Sequence, residues 1–131
     1  MENIRIDGID GELTQQDIND LISTALEGGI NYWCGNAEIK YNADCTMFGV
    51  SAEDESKVEF ISDVVGYGGV LILFDGESNA EWELDLNKMV NGITKHCNEN
   101  GLSIVELMDN FDADDADCIV QYAVMNELVF G

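Results

Sequence analysis

The chain has 131 residues, 46% of them hydrophobic, and carries 27 acidic side chains against 5 basic ones, a formal charge of −22. That length and apolar content suit one domain with an ordinary core, and 2 Trp, 4 Tyr and 5 Phe exclude the aromatic-poor composition of a disordered acidic tail. The charge disfavours nucleic acid as a ligand and favours a basic partner, because a surface of one sign repels phosphates and captures cations or basic proteins.

Duplex DNA carries one negative charge per ~1.7 Å of axis, so a charge of −22 matches roughly 37 Å of duplex, about the diameter of a globule of this length. Gathered on one face, the charge would imitate a row of phosphates. Spread over every face, it would confer solubility alone.

Residues 2–6 alternate and predict a short strand, followed by a glycine-rich turn through residues 7–11. Thr14 opens a helix, with Asp17 three residues on as an acidic capping box and Leu13 placed to staple onto Ile18. Ile18, Leu21, Ile22, Ala25 and Leu26 follow at helical spacing, and Gly28 with Gly29 predicts a left-handed C-terminal cap. Residues 30–41 are aromatic and partly extended, with the best strand over 37–41, and residues 42–49 show no clear period. Ser51 with Asp54 marks a second helix, whose stripe of Val58, Ile61, Val64 and Val65 closes at Gly66, Gly68 and Gly69.

Residues 70–74 and 80–84 flank the turn-rich spacer Asp75-Gly76-Glu77-Ser78 and predict a hairpin. Asp85 caps a third helix, in which Leu86, Met89, Val90, Ile93 and Cys97 recur at three and four, and residues 98–101 stop it. Residues 102–108 predict a short helix. The last helix runs from about Asp112 to Phe130, with Asp112, Asp114 and Asp115 well placed against its N-terminal dipole. Its stripe of Ala116, Ile119, Val120, Ala123, Val124 and Leu128 demands a place in the core or a covering partner, and a homodimer is compatible with the latter. The order β-α-β-α-ββ-α-α predicts a single α+β domain over 1–131, a small, mainly antiparallel sheet with three to four helices packed on one face.

Chemistry-bearing patterns are scarce. His96, the sole histidine, is expected on the polar side of the third helix, and it forms no nucleophilic pair with Cys97, since adjacent helix positions point ~100° apart. Cys34, Cys45, Cys97 and Cys118 lack the CxxC spacing of zinc sites, so buried free thiols are expected. No GxxxxGK[ST] phosphate cradle occurs. EF-hand loops begun at Asp112 or Asp75 fail at position 6 (Asp117 or Ala80) and at position 12 (Ala123 or Leu86). No enzyme activity, cofactor or dedicated metal site is therefore expected. No apolar run approaches the ~18 residues of a membrane span, and the first residues lack the basic head and apolar stretch of a secretory signal, so a cytoplasmic protein is expected.

The acids are more informative. Asp17, Asp20 and Glu27 share the polar face of the first helix through spacings of three and seven. Glu53, Asp54 and Glu55 form a second cluster with Glu59 and Asp63. Glu81 and Glu83 point to the sheet face opposite Trp82, near Glu77 and Asp85. Asp112, Asp114, Asp115 and Asp117 form the fourth, with Asp109. These clusters are the expected partner-binding surface, because the bases Arg5, Lys40, Lys57, Lys88 and Lys95 leave most acids unpaired. Tyr32, Trp33 and Tyr67 could anchor that contact where exposed, although burial in the core is their expected fate.

Two stretches, LTQQDINDLISTALEGGINYWC (13–34) and DNFDADDADCIVQYAVMNELVFG (109–131), with GGVLILFD (68–75) and EWELDLNKMVNGI (81–93), resemble a group of small acidic proteins from phages and mobile elements of gram-positive bacteria. The resemblance covers most of the chain and implies a context, with no catalytic residue. By charge, the chain is similar to acidic counter-defence proteins, including DNA-mimicking anti-restriction and anti-CRISPR inhibitors. It implies a non-enzymatic inhibitor that fills the Lys/Arg-rich channel of a host restriction nuclease or CRISPR effector. The competing expectation is a phage accessory or scaffold protein whose acids serve solubility alone.

Overall fold

Local capping chemistry sets the start of every α-helix in the computed structural model, which describes residues 2–41 and 61–131. Thr14, Asp85, Ser103 and Asp112 each accept a bond from the backbone N–H three residues on. At three of these starts the bond is reciprocated, with Asp17, Glu106 and Asp115 accepting from the N-cap N–H. Each such cap contributes about 1 kcal/mol by satisfying donors that the first turn leaves free.

The elements run β1 (Ile4–Arg5), β2 (Glu12–Leu13), α1 (Gln15–Thr24), a π-helical turn (Ala25–Gly29), β3 (Cys34–Tyr41), a 3₁₀ turn (Ile61–Asp63), β4 (Val70–Asp75), β5 (Glu81–Leu84), α2 (Leu86–Asn100), α3 (Ile104–Asn110) and α4 (Ala113–Met125). β1 and β2 form a two-stranded antiparallel sheet, and β3-β4-β5 a three-stranded antiparallel one. The architecture is α+β, as the element order implies. Alternation places Leu71 and Leu73 of β4 inward, while Ile72 and Phe74 stay half-buried. α4 lies at the centre, packed on α2, the π turn, α1 and β5. Among the described residues, no helix is long and apolar enough to cross a membrane.

Four expectations need correction. β2 was not foreseen, because two residues are too few for a period. α1 does not end on a left-handed glycine: it widens into the π turn and stops at Ile30, φ −105°. Gly29 serves close packing instead, since a Cβ there would sit 2.8 Å from the Ala113 carbonyl oxygen of α4. The last helix ends at Met125, where Asn126 takes the left-handed cap at φ 64°, and residues 127–130 fold back. Of the second helix, residues 51–60 lie outside the described residues, and Ile61–Asp63 is 3₁₀.

His96 is also not a surface residue. It is 4% exposed, with Nε2 at 2.9 Å from Asp115 Oδ1 and Nδ1 at 3.2 Å from the Asn100 amide. The neutral Nε2–H tautomer satisfies both contacts, accepting from Asn100 and donating to Asp115. The α2 face that looked polar is covered here by the start of α4. Cys34 and Cys97 are buried and Cys118 half-buried, all free thiols whose pKa burial pushes up, while Cys45 lies outside the described residues.

The α2–α4 packing depends on Gly92, where a Cβ would strike the Ile119 carbonyl oxygen and sit 3.0 Å from Ala123 Cβ. Alanine gains about 1 kcal/mol of helix propensity but overpacking against a backbone costs about 1–3 kcal/mol. Gly92→Ala is therefore expected to lower stability by up to about 2 kcal/mol in urea denaturation. A stabilised variant would mean that the two helices can separate freely.

Candidate acidic interface and the Tyr32 clamp

Of the acids expected to bind a partner, Glu53, Asp54 and Glu55 lie outside the described residues. The other nine divide by task. Asp17, Asp112 and Asp115 are capping groups, and the Asp115 N–H holds the Asp112 carboxyl below its usual pKa. Glu83 pairs with Lys40, which likewise lowers its pKa. Asp117 is not on the surface at all: it is 9% exposed and accepts three side-chain hydrogen bonds. Asp20, Glu27, Glu81 and Asp114 remain as exposed acids.

Asp20 and Glu27 share the outer face of α1 and the π turn. Gln16 Nε2 donates to Asp20 at 2.7 Å and Ser23 Oγ to Glu27 at 3.3 Å, each from four residues earlier. Their seven-residue separation spans ~10 Å of axis, roughly three base-pair steps of a duplex. Both line a shallow hollow of about 380 Å³ against residues 61–63. The buried Gly29 packs the end of the π turn against the Ala113 carbonyl, one residue before the exposed Asp114 at the start of α4. Glu81 stands apart on β5.

The bases add little neutralisation. Among the described residues, Arg5 pairs with Glu12 at 2.8 Å and Lys40 with Glu83. Lys88 donates instead to the Glu83 carbonyl at 2.8 Å, and Lys95 to the Asn126 carbonyl at 2.7 Å while lying over the Tyr122 ring. No three of His, Cys, Asp and Glu among the described residues gather closely enough to hold a metal ion.

Asp117 organises a second region that pattern reading missed. Its carboxylate accepts from the Trp33 indole at 2.8 Å, the Tyr32 hydroxyl at 2.5 Å and Gln121 Nε2 at 2.9 Å. Gln121 Oε1 accepts from the N–H groups of Val129 and Phe130, which pins the returning chain after α4. Phe130 thereby stacks on Trp33, with centroids 5.2 Å apart, and Trp82 meets Trp33 edge-on at 5.5 Å. Trp33 is core, as expected, and Tyr67 is half-buried, but Tyr32 is 59% exposed. The one local sign of this clamp was the four-residue spacing of Asp117 and Gln121 beside the apolar stripe of α4.

No protein-family profile, curated protein or solved structure matches the chain.

Removing Asp117 strips the buried Trp33 indole and Gln121 amide of their acceptor. Asp117→Ala is expected to destabilise the fold by about 2–4 kcal/mol, whereas Asp20→Asn and Glu27→Gln should stay within about 0.5 kcal/mol. Urea denaturation followed by Trp emission measures both. Desolvation, followed by the Asp117 bond, pushes the Tyr32 phenol up to about 12. A pKa raised above the unfolded value near 10 gives stability that is complete below pH ~10 and lost as pH rises towards 12. Stability of the native chain is expected to fall more steeply across that window than that of Tyr32→Phe.

Proposed function

We propose that the chain is a phage-derived, non-enzymatic inhibitor. It acts in the bacterial cytoplasm by presenting acids to a basic, nucleic-acid-handling host protein such as a restriction nuclease or CRISPR effector. The observation that carries this reading is the way the chain uses its few bases. Two of the four described ones bind backbone carbonyls, so Asp20, Glu27, Glu81 and Asp114 keep exposed charge that a partner can neutralise. Carboxylates then stand in for phosphates against the partner's Lys and Arg side chains, and the field of the whole molecule steers the encounter.

The rival reading, an accessory protein whose charge gives solubility alone, draws on the capping, pairing and burial tasks that occupy Asp17, Glu83, Asp112, Asp115 and Asp117. Displacement of labelled DNA from such an effector separates the two. The inhibitor reading expects displacement that weakens as salt approaches ~1 M, where the screening length is about 3 Å. It also expects Asp20→Asn, Glu27→Gln, Glu81→Gln and Asp114→Asn together to slow association about tenfold with an unchanged fold. An unaltered rate in the fourfold variant, or inhibition indifferent to salt, would overturn it.

A further inference from the structure

Tyr32 combines two properties that rarely occur together. It is 59% exposed, yet its hydroxyl donates to Asp117 at 2.5 Å and accepts from Gln121 Nε2 at 3.2 Å. An exposed tyrosine ordinarily keeps its side-chain freedom, because holding it gains the core little. Here a buried carboxylate fixes the end of the ring, and the indole of Trp33 holds that carboxylate from behind.

Two hollows adjoin the ring, and both combine apolar and acidic walls with an acidic rim. One, of about 480 Å³, is lined by Asp114, Cys118, Leu128 and Phe130 among others. The second, of about 210 Å³, has Asp75, Glu77 and Phe130 in its walls. The second hollow forms because the Gly76 N–H donates to the Trp33 carbonyl at 2.9 Å, which draws the β4–β5 turn up to the aromatic cluster. The Ser78 hydroxyl, at 2.6 Å, and then the Glu77 N–H hold the Asp75 carboxyl below its usual pKa. Leu128, which lines the first hollow with Tyr32, is half-exposed.

We propose that Tyr32 is a preformed stacking platform for an arginine side chain of the basic partner, with Asp114 in one adjoining hollow, or Asp75 and Glu77 in the other, receiving its guanidinium N–H groups. The inference rests on the inhibitor reading for its partner, and it names the short-range contact that reading lacks. A guanidinium is planar, weakly hydrated and presents a rigid fork of donors, so it can lie on a tyrosine face while bonding a carboxylate at the edge. Its aliphatic stem covers Leu128 and Phe130. A lysine ammonium offers neither the plane nor the fork. A phosphate is repelled by the same rim.

The test uses the full chain and two peptides, acetyl-Gly-Arg-Gly-Arg-Gly-amide and its lysine counterpart, at ~0.1 M salt, where the screening length is about 10 Å. Binding is read by Trp emission and by NMR of the peptide side chain. The arginine peptide is expected to bind about two- to fivefold more tightly than the lysine one, and Tyr32→Ala to erase the difference. Asp20→Asn with Glu27→Gln should leave the preference intact. On the native chain, the arginine δ-methylene protons should move upfield under the ring current, a readout that needs no variant to fold. Equal affinities, a preference that survives in a folded Tyr32→Ala, or no upfield shift would overturn the site. The tube contains no nuclease, so such a failure leaves the inhibitor reading standing. A failed DNA displacement with an intact arginine preference would instead remove the function and keep the site.

Discussion

Among the described residues, the buried carboxylate of Asp117 joins α4 to the turn after α1, 84 and 85 positions away in sequence. It receives the indole of Trp33 and the phenol of Tyr32 from the turn after α1, and the amide of Gln121 from its own helix. Gln121 then fixes Val129 and Phe130, and Phe130 closes over Trp33 and Trp82. A charge taken out of water is unfavourable unless hydrogen bonds replace its hydration, and three donors do so here. The turn and α4 are joined directly at that carboxylate, and the returning chain and the β4–β5 hairpin meet them through Gln121, Phe130 and Trp82.

The same logic extends to the way an excess of acids is accommodated. A charge of −22 opposes compaction, so acids are least harmful where partial positive charge already exists. Helix starts supply it, and Asp17, Asp85, Glu106, Asp112 and Asp115 all occupy them. Basic side chains are too few to do the complementary job, and none lies in the last turn of α1, α2, α3 or α4. Lys95 reaches the end of α4 from α2, across the interface, to cap the Asn126 carbonyl. Lys88 and Lys95 thus sit on backbone carbonyls, while Arg5 and Lys40 pair with Glu12 and Glu83, away from the exposed carboxylates on α1 and at the start of α4.

What pattern reading could see follows from how local each interaction is. Thr14, Asp85 and Asp112 were legible as helix starts because a cap and its partner lie three residues apart. The β4–β5 hairpin was legible from two apolar runs around a short polar spacer. Helix ends were less so: Gly29 is small because Ala113 presses against it, a reason 84 positions away that no window contains. His96 read as polar surface for the same cause, since its partner Asp115 belongs to another helix. Asp117 was grouped with surface acids by neighbourhood, although its hydrogen bonds run to residues 84 and 85 positions distant. The acidic surface was therefore legible as a composition and only partly as an address.

In the proposed recognition of a basic partner, charge and clamp act at different distances. At ~0.1 M salt an exposed carboxylate is felt over about 10 Å, far enough to orient a basic partner but too far to distinguish one cation from another. Discrimination needs a contact that is rigid before binding, because every side chain frozen in the complex subtracts from affinity. Among the described residues, Asp20 and Glu27 are tethered by neighbours on their own helix turn, at the surface, where water competes. Tyr32 is held from beneath by Asp117 and Gln121, so its orientation is set when the core forms. On the proposed reading the exposed acids would govern how fast a basic partner arrives, and the ring held by the buried Asp117 would govern which side chain it must bring.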